Sequence, residues 1–217
     1  MLTERDKLIV RQLARFGYLR AEQVMRMFGM SRIVAYRRLK ALARLGFVRR
    51  VEVPGANWGV YMVTERGLAE ADAAFARARI RPATLMHHLT VAEVAIALTA
   101  ATGGVWVTER ELRREAGQRF GVGYLGHVPD GVLVLGDGRK VAVELENTSK
   151  APRRLQKILR DYLRRTDYAE VWFVCRTTRQ ADKVRQAARG MDFVRVMRLE
   201  EDVLRPAGGG GDGAGAA

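Results

Sequence analysis

Hydrophobic residues recur with helical spacing in three successive segments at the start of the chain. Thr3 can cap the first helix and Gly17 can end it. Ser31 and Gly46 have the same roles in the third helix, and the second ends at Gly29. The positions expected to face the core of the first and third helices are Leu8, Ile9, Leu13, Phe16, Ile33, Tyr36, Leu39, Leu42 and Leu45.

Two alternating strands follow the three helices. They cover residues 47–53 and 58–63, and a Pro-Gly turn separates them. Thr64 can cap a further helix, which the pattern extends through residue 80. The predicted order is therefore three helices, a hairpin and a helix.

The second half of the chain begins with a largely buried helix at residues 83–102 and a strand at 105–108. The glycine content of the polar stretch 109–126 predicts a loop or mobile segment. The remaining predicted elements are strands at 129–135, 140–146, 171–175 and 193–197, with helices at 149–167 and 179–190.

The strand at 140–146 is expected to lie in the centre of a sheet. A strand, helix, strand order requires a parallel, right-handed crossover, which covers such a strand on both faces. Side chains alternate between the two faces of a strand. One face would carry Val141, Val143 and Leu145, and the other Ala142, Glu144 and Glu146.

The first part of the chain resembles the winged helix-turn-helix family. The resemblance rests on "YLRAEQVMRMFGMSRIVAYRRLKALARLGFVRRV" and "VYMVTERG" and covers residues 1 to about 80. It implies a third helix that enters the major groove of DNA and a hairpin that touches phosphates. The residues that it implies to face DNA are Ser31, Arg32, Tyr36, Arg37 and Arg38, with Arg49 and Arg50 at the wing.

The charge of the chain agrees with a polyanionic partner. Lysine and arginine number 38 against 24 acidic residues, a net charge of +14. Such a field attracts nucleic acid first and anionic membrane second. Residues 1–50 are the most basic part, more basic than solubility requires. The other interpretation is a solvated basic face on a domain that serves dimerisation or protein contact.

Three carboxylates lie close together in the second half of the chain: Asp130, Glu144 and Glu146. Like charges on a covered strand face are costly unless cations neutralise them or one carboxylate is protonated. A divalent metal would neutralise them, and so would an arginine cluster.

The element order around these carboxylates resembles the restriction-endonuclease-like fold with its Pro-Asp…(Asp/Glu)-x-Lys motif. Asp130 of "PD" begins the second strand of a three-strand meander, and Glu144 lies on the third strand at a spacing that suits the motif. The resemblance implies that Asp130 and Glu144 hold Mg²⁺ or Mn²⁺, which activates water for attack on a phosphodiester. Glu146 replaces the expected lysine, and Lys150 lies beyond the strand. Asp130, Glu144, Glu146 and Lys150 are thus the candidate catalytic residues, and the three carboxylates the candidate metal ligands.

The predicted helix at 149–167 has a basic face opposite its apolar stripe. This face predicts a second surface for DNA or for an acidic partner, or else an ordinary solvated face. Its members are Arg153, Arg154, Lys157, Arg160 and Arg164.

Other features narrow the expected setting. Cys175, the single cysteine, excludes a disulfide framework and a Cys-rich zinc site. His87 and His88 are adjacent, so their side chains diverge on a helix, and a structural role is favoured over metal binding. The sequence shows no signal peptide and no apolar run of bilayer-spanning length, so a cytoplasmic location without membrane contact is expected.

Taken together, the two halves resemble the replication-relaxation family of plasmids and integrative elements. The resemblance rests on "VYMVTERG", "HHLTVAEVAIAL", "PDGVLVL", "VAVELENTSK" and "RDYLRR". It implies double-stranded DNA as partner and a bacterial mobile element as setting. Replication or conjugation proteins and a second copy of the chain are further candidate partners.

The expected fold class is α+β. It would comprise a winged helix-turn-helix domain at 1–80, an α/β restriction-endonuclease-like domain at 81–205 and a disordered Gly/Ala tail at 206–217. Two functions remain open. One is a non-catalytic DNA-binding protein acting in replication or DNA relaxation; the other is a Mg²⁺-dependent DNA endonuclease. The missing lysine favours the first.

Overall fold

The computed structural model describes residues 2–71, 75–121, 126–146 and 152–204. The helices in these ranges are α1 (Glu4–Phe16), α2 (Ala21–Met27), α3 (Arg32–Arg44), α4 (Glu65–Glu70), α5 (Pro82–Thr102), α6 (Glu109–Phe120), α7 (Pro152–Leu163) and α8 (Thr178–Ala187). The strands are β1 (Val48–Glu52), β2 (Gly59–Val63), β3 (Val105–Thr108), β4 (Gly131–Val134), β5 (Lys140–Glu146), β6 (Glu170–Cys175) and β7 (Val194–Arg198), and a short π-helix, Leu199–Val203, follows. This composition confirms the α+β class. The predicted tail, residues 206–217, lies outside the described residues.

Residues 2–71 form a lobe of helices and a hairpin, called here the helix–hairpin lobe. Thr3 and Asp6 form a capping box at α1, and Gly17 ends that helix with a φ of 83°. Strands β1 and β2 pair antiparallel, and the backbone of Leu19 pairs with that of Tyr61 at 2.8 and 3.1 Å. The segment before α2 is therefore fixed against the hairpin.

The predicted core of this lobe is partly wrong. Leu39 and Leu42 of α3 are buried, but Ile33 is 78% exposed and Leu45 46%. Tyr36 and Leu8 also lie on the surface. The reason is geometric: three residues turn a helix through about 300°, so a strict three-residue spacing drifts by about 60° per step. The buried stripe of α3 follows mixed spacing instead and consists of Ala35, Leu39 and Leu42.

Helix α4 is shorter than predicted. It ends at Glu70, residues 72–74 lie outside the described ranges, and residues 75–80 have no regular secondary structure. Phe75 packs against the helix–hairpin core, and Ile80 packs in a cluster with Tyr18. These tertiary contacts outweigh the local helix propensity of an alanine-rich segment.

The second lobe, called the sheet lobe, has a five-stranded sheet in the order β3-β4-β5-β6-β7. Strands β3, β4 and β5 pair antiparallel, and β5, β6 and β7 pair parallel. Strand β5 is central and covered on both faces, as predicted. Val143 packs in the cluster with α5, and Ala142 in the cluster on the face that α7 and α8 cover.

The prediction of a loop at 109–126 was wrong for residues 109–120, which form α6. Thr108 and Glu111 form a capping box at its start. None of the twelve residues of Glu109–Phe120 is buried. The helix therefore depends on its cap and on surface contacts, which outweigh the cost of one interior glycine, Gly117.

Helix α5 joins the two lobes. Leu89 packs with the hairpin, Ala92 with the helix–hairpin core, and Val94 with the sheet. By length and composition alone, this 21-residue helix could cross a membrane, since an 18-residue window within it has a mean hydropathy of 1.3. This corrects the expectation that no apolar run is long enough. Its contacts with both lobes are those of a core helix.

Polar contacts also connect the lobes. Arg15 of α1 donates to both carboxylate oxygens of Glu111 at 2.8 and 3.0 Å. The Gln23 amide nitrogen donates to the Leu89 carbonyl at 2.8 Å and to Glu93 at 2.9 Å. Such bidentate and buried hydrogen bonds fix the orientation of the helix–hairpin lobe on α5 and α6.

Candidate functional site

The exposed face of α3 is the most basic helix surface of the helix–hairpin lobe. Ser31 caps the helix by accepting a hydrogen bond from the Val34 backbone at 3.4 Å. Within the described ranges none of its solvent-facing cations forms an ion pair with a carboxylate. These cations are Arg32, Arg37, Lys40 and Arg44. The face therefore presents four cations that lie outside the ion pairs of the described chain.

Arg38 differs from its neighbours. It is half-buried, and its Nη1 lies 3.3 Å from Oδ2 of the buried Asp6 on α1. Asp6 also belongs to the α1 capping box. The structure thus gives Arg38 a role in joining α3 to α1.

A polar cleft of about 220 Å³ separates the start of α3 from the hairpin. Glu22 lies in it, 3.3 Å from Arg20 Nε, and accepts a hydrogen bond from the Tyr36 hydroxyl at 2.9 Å. Burial raises the pKa of Glu22, but the hydrogen bonds from its own backbone and from Tyr36, with the charge of Arg20, lower it overall. The lining residues are Arg20, Ala21, Glu22, Arg32, Tyr36, Arg50, Asn57, Trp58, Gly59 and Tyr61.

The two predicted wing arginines have different surroundings. Arg50 lines the cleft and pairs with Glu52, whereas Arg49 contacts the Met62 sulfur at 3.9 Å. Sequence reasoning missed Arg20, which lies over the Trp58 ring at 4.8 Å. An arginine just before a predicted helix carries no sequence signal of this role.

Asp130 lies at the start of β4, beside β5. Its Oδ2 accepts a hydrogen bond from the Leu145 backbone at 2.8 Å, and its Oδ1 lies 3.0 Å from His87 Nε2. The next residue has to be glycine, because a Cβ at Gly131 would overlap the Trp106 ring. These contacts bring Asp130 to the strand that carries Glu144, as predicted from the sequence.

Glu144 is buried and receives two hydrogen bonds on one oxygen. His127 Nε2 lies 2.6 Å from its Oε1, and the Tyr162 hydroxyl donates to the same atom at 2.5 Å. Burial, together with the nearby Glu144 carboxylate, raises the pKa of Tyr162 far above its ordinary value, so its hydroxyl remains a donor. Arg165 supports His127 by donating to its carbonyl at 3.2 Å. Among the described residues, the groups hydrogen-bonded to Glu144 are thus a histidine ring and a tyrosine hydroxyl.

Glu146 is also buried, at the end of β5. Lys150 lies outside the described residues. Among the residues that the structure describes, no three His, Cys, Asp or Glu side chains are arranged to hold a metal ion.

The two histidines of α5 line a second cleft, of about 100 Å³, where the lobes meet. His88 Nδ1 lies 2.8 Å from the Tyr18 hydroxyl, and His87 contacts Asp130. Burial raises the pKa of Tyr18 to about 12 and lowers that of His88. These contacts agree with the structural role predicted for the pair.

Stability should fall below about pH 6.5 because of His88. Its pKa is lower in the folded than in the unfolded state, so the unfolded chain binds the proton more readily and stability is lost as pH falls through that range. The nearby Glu109 and Asp130 raise the pKa, and His87 and Arg110 lower it.

The measurement is thermal unfolding at about pH 7.5 and about pH 5.5. His88→Gln should reduce the difference between the two melting temperatures. Tyr18→Phe keeps the His88 imidazole that titrates. It should lower the melting temperature at both pH values and preserve the difference between them. Equal differences in wild type and His88→Gln would contradict this role of His88.

The basic face of α7 is exposed as predicted. Its side chains point away from the stripe of Leu155, Ile158 and Leu159, which is buried against the sheet. In the part of the chain that the structure describes, its five cations make no ion pairs. They are Arg153, Arg154, Lys157, Arg160 and Arg164.

Comparison with known proteins gives one match. A family model described as replication-relaxation matches residues 10–174, which is most of the chain and includes the α3 face, both clefts and the carboxylates. No curated protein and no solved structure matches significantly.

Proposed function

The chain belongs to the replication-relaxation family, and we propose that it binds double-stranded DNA through a winged helix-turn-helix in the helix–hairpin lobe. In this proposal α3 enters the major groove and the β1–β2 hairpin contacts the phosphates beside it. The protein acts in replication or DNA relaxation of a bacterial plasmid or mobile element, and its sheet lobe grips DNA or a partner without cleaving it.

The basic surface of α3 is the observation that carries this proposal. None of the described ion pairs involves Arg32 or Arg37. The adjoining cleft is also lined by Arg20 and Arg50, which pair with Glu22 and Glu52. A surface of this kind matches the regular negative charge of a duplex, whose condensed counterions it would release. The family supports a role in replication and therefore a DNA partner.

The test is binding of the whole protein to a short duplex over roughly 50 to 200 mM salt. We expect affinity to fall steeply, with a slope of about −0.9 in log K against log salt for each phosphate contacted. Polyglutamate is the control polyanion. Absence of duplex binding, or equal binding of polyglutamate, would refute the proposal. Replication or conjugation proteins and a second copy of the chain are the further partners that we propose.

The α7 face is proposed as a second DNA contact. Charge reversal of Arg154 and Lys157 to glutamate should weaken binding to long duplexes more than to short ones, because only a long duplex reaches both lobes. Reversal of Lys183 and Arg189, which are exposed elsewhere in the sheet lobe, is the matched control. Unaltered binding to long duplexes would identify α7 as a solvated face, and tighter binding of an acidic peptide by wild type as a protein-binding one.

A Mg²⁺-dependent endonuclease is the second candidate function. It is favoured by the position of Asp130, whose hydrogen bond to Leu145 places it beside Glu144. Against it, both oxygens of Asp130 and Oε1 of Glu144 are hydrogen-bonded to protein groups. Among the described residues, no three His, Cys, Asp or Glu side chains have the arrangement of a metal site. Incubation with supercoiled plasmid and Mg²⁺ or Mn²⁺ decides between the two functions, since nicked or linear product requires a nuclease.

A further inference from the structure

Ile33 is a large hydrophobic residue on the solvent-exposed surface of α3. At 78% exposure it is the most exposed of the large hydrophobic side chains that the structure describes. Burial of such a side chain would stabilise the fold, and this position forgoes that stabilisation. Ile33 is the second residue of α3, after the cap Ser31 and Arg32.

The side chains around Ile33 belong to the basic face. Tyr36 and Arg37 follow it at the three- and four-residue spacing that places helix residues side by side, and Lys40 lies a further turn along. All three are exposed. Ile33 is thus a single apolar side chain at the N-terminal end of a row of basic residues. Such a surface is complementary to an anionic partner that carries a local apolar group.

Tyr36 holds the neighbouring surface in place. Its hydroxyl donates to Glu22 at 2.9 Å, and Arg32 lies 5.7 Å from its ring centre. Ile33 itself is β-branched, so its side chain has few rotamers in a helix. Little conformational freedom would be lost when this surface meets a partner, and a single apolar contact can then contribute to affinity.

We propose that Ile33 contacts the C5 methyl group of a thymine in the major groove and is a specificity-determining residue for the DNA site. This inference rests on the proposed function. Residues at the N-terminal end of a helix-turn-helix recognition helix meet base edges. On those edges the thymine methyl is the apolar group, whereas the other features are hydrogen-bond donors and acceptors. The arginines beside Ile33 contact the phosphates or guanine in the same site.

The experiment begins with selection of preferred duplexes from a random pool by the whole wild-type protein. Each thymine of the selected site is then replaced by uracil, which removes only the methyl group. We expect one replacement to weaken wild-type binding about fourfold, the effect of one buried carbon group. Ile33→Ala should bind the thymine and uracil duplexes equally, with an unchanged melting temperature because the side chain is largely exposed.

Leu8→Ala is the matched control, since Leu8 is a 45% exposed apolar residue on α1. It should retain the full difference between thymine and uracil. The methyl contact is overturned if no uracil replacement affects wild-type binding, or if Ile33→Ala keeps the wild-type difference. It is also overturned if Ile33→Ala changes only self-association in sedimentation, because a second copy then covers Ile33. If wild type binds no duplex, the proposed function itself fails.

Discussion

Replacement of Arg32 and Arg37 by alanine is expected to abolish most of the duplex affinity at physiological salt. Each side chain that contacts a phosphate or a base contributes about 1–3 kcal/mol, or roughly 5- to 150-fold. Loss of two phosphate contacts should also flatten the dependence of log K on log salt by about two units. Both residues are exposed near the start of α3, so the fold should be unaffected.

The control for this double variant removes the same charge elsewhere. Lys183 and Arg189 are exposed in the sheet lobe, and their replacement by alanine should change affinity only slightly. Arg38→Ala is a second comparison. Because Arg38 pairs with Asp6, this variant should lower the melting temperature and have little effect on the dependence of log K on log salt. If the Arg32 and Arg37 variant keeps the wild-type affinity and slope, α3 does not contact DNA.

The fold could be predicted from the sequence where caps and periodicity act locally. Thr3, Gly17 and Ser31 set the helix ends where the sequence predicted them, and the alternation of β5 placed Ala142 and Val143 on opposite faces. The predictions failed where tertiary contacts decide. Glycines in 109–126 indicated a loop, but a capping box and the Arg15–Glu111 contact form a helix there.

The sequence predicted which carboxylates lie on neighbouring strands, but not the groups that surround them. Asp130 and Glu144 are brought together, because the register of β4 and β5 follows from the hairpin between them. Their partners His87, His127 and Tyr162 come from distant segments, and no local pattern assigns them. Ile33 was expected inside because three-residue spacing from Leu39 ignores the drift of the helix; its exposure became visible only in the packed lobe.

The hydrogen bonds at Glu144 predict that Glu144→Gln destabilises the protein. Glutamine keeps the size of the side chain but loses the charge that strengthens the bonds from His127 and Tyr162. Hydrogen bonds to a charged group contribute about 1.5–3 kcal/mol each, so a loss of about 2 kcal/mol is expected. For a chain of this size it corresponds to a fall in melting temperature of roughly 4–8 °C.

Tyr162→Phe provides the matched comparison. It removes the hydroxyl donor to a charged group and leaves the charge of Glu144, so it should cost about 1.5–3 kcal/mol. The double variant should cost less than the sum of the two single variants, since both remove the same hydrogen bond. Such non-additivity would show that the stabilisation comes from the hydrogen bond between Tyr162 and Glu144 and not from a general effect on the sheet.

If Glu144→Gln stabilised the protein instead, the carboxylates would have a different role. If repulsion among Asp130, Glu144 and Glu146 dominated, removing one charge would stabilise the protein without added metal. Mg²⁺ or Mn²⁺ would then raise the wild-type melting temperature as the site fills, and Glu144→Gln would abolish that rise. Melting unchanged by either ion, with destabilisation by Glu144→Gln, makes the carboxylates a hydrogen-bonded structural network. In that case the endonuclease proposal fails.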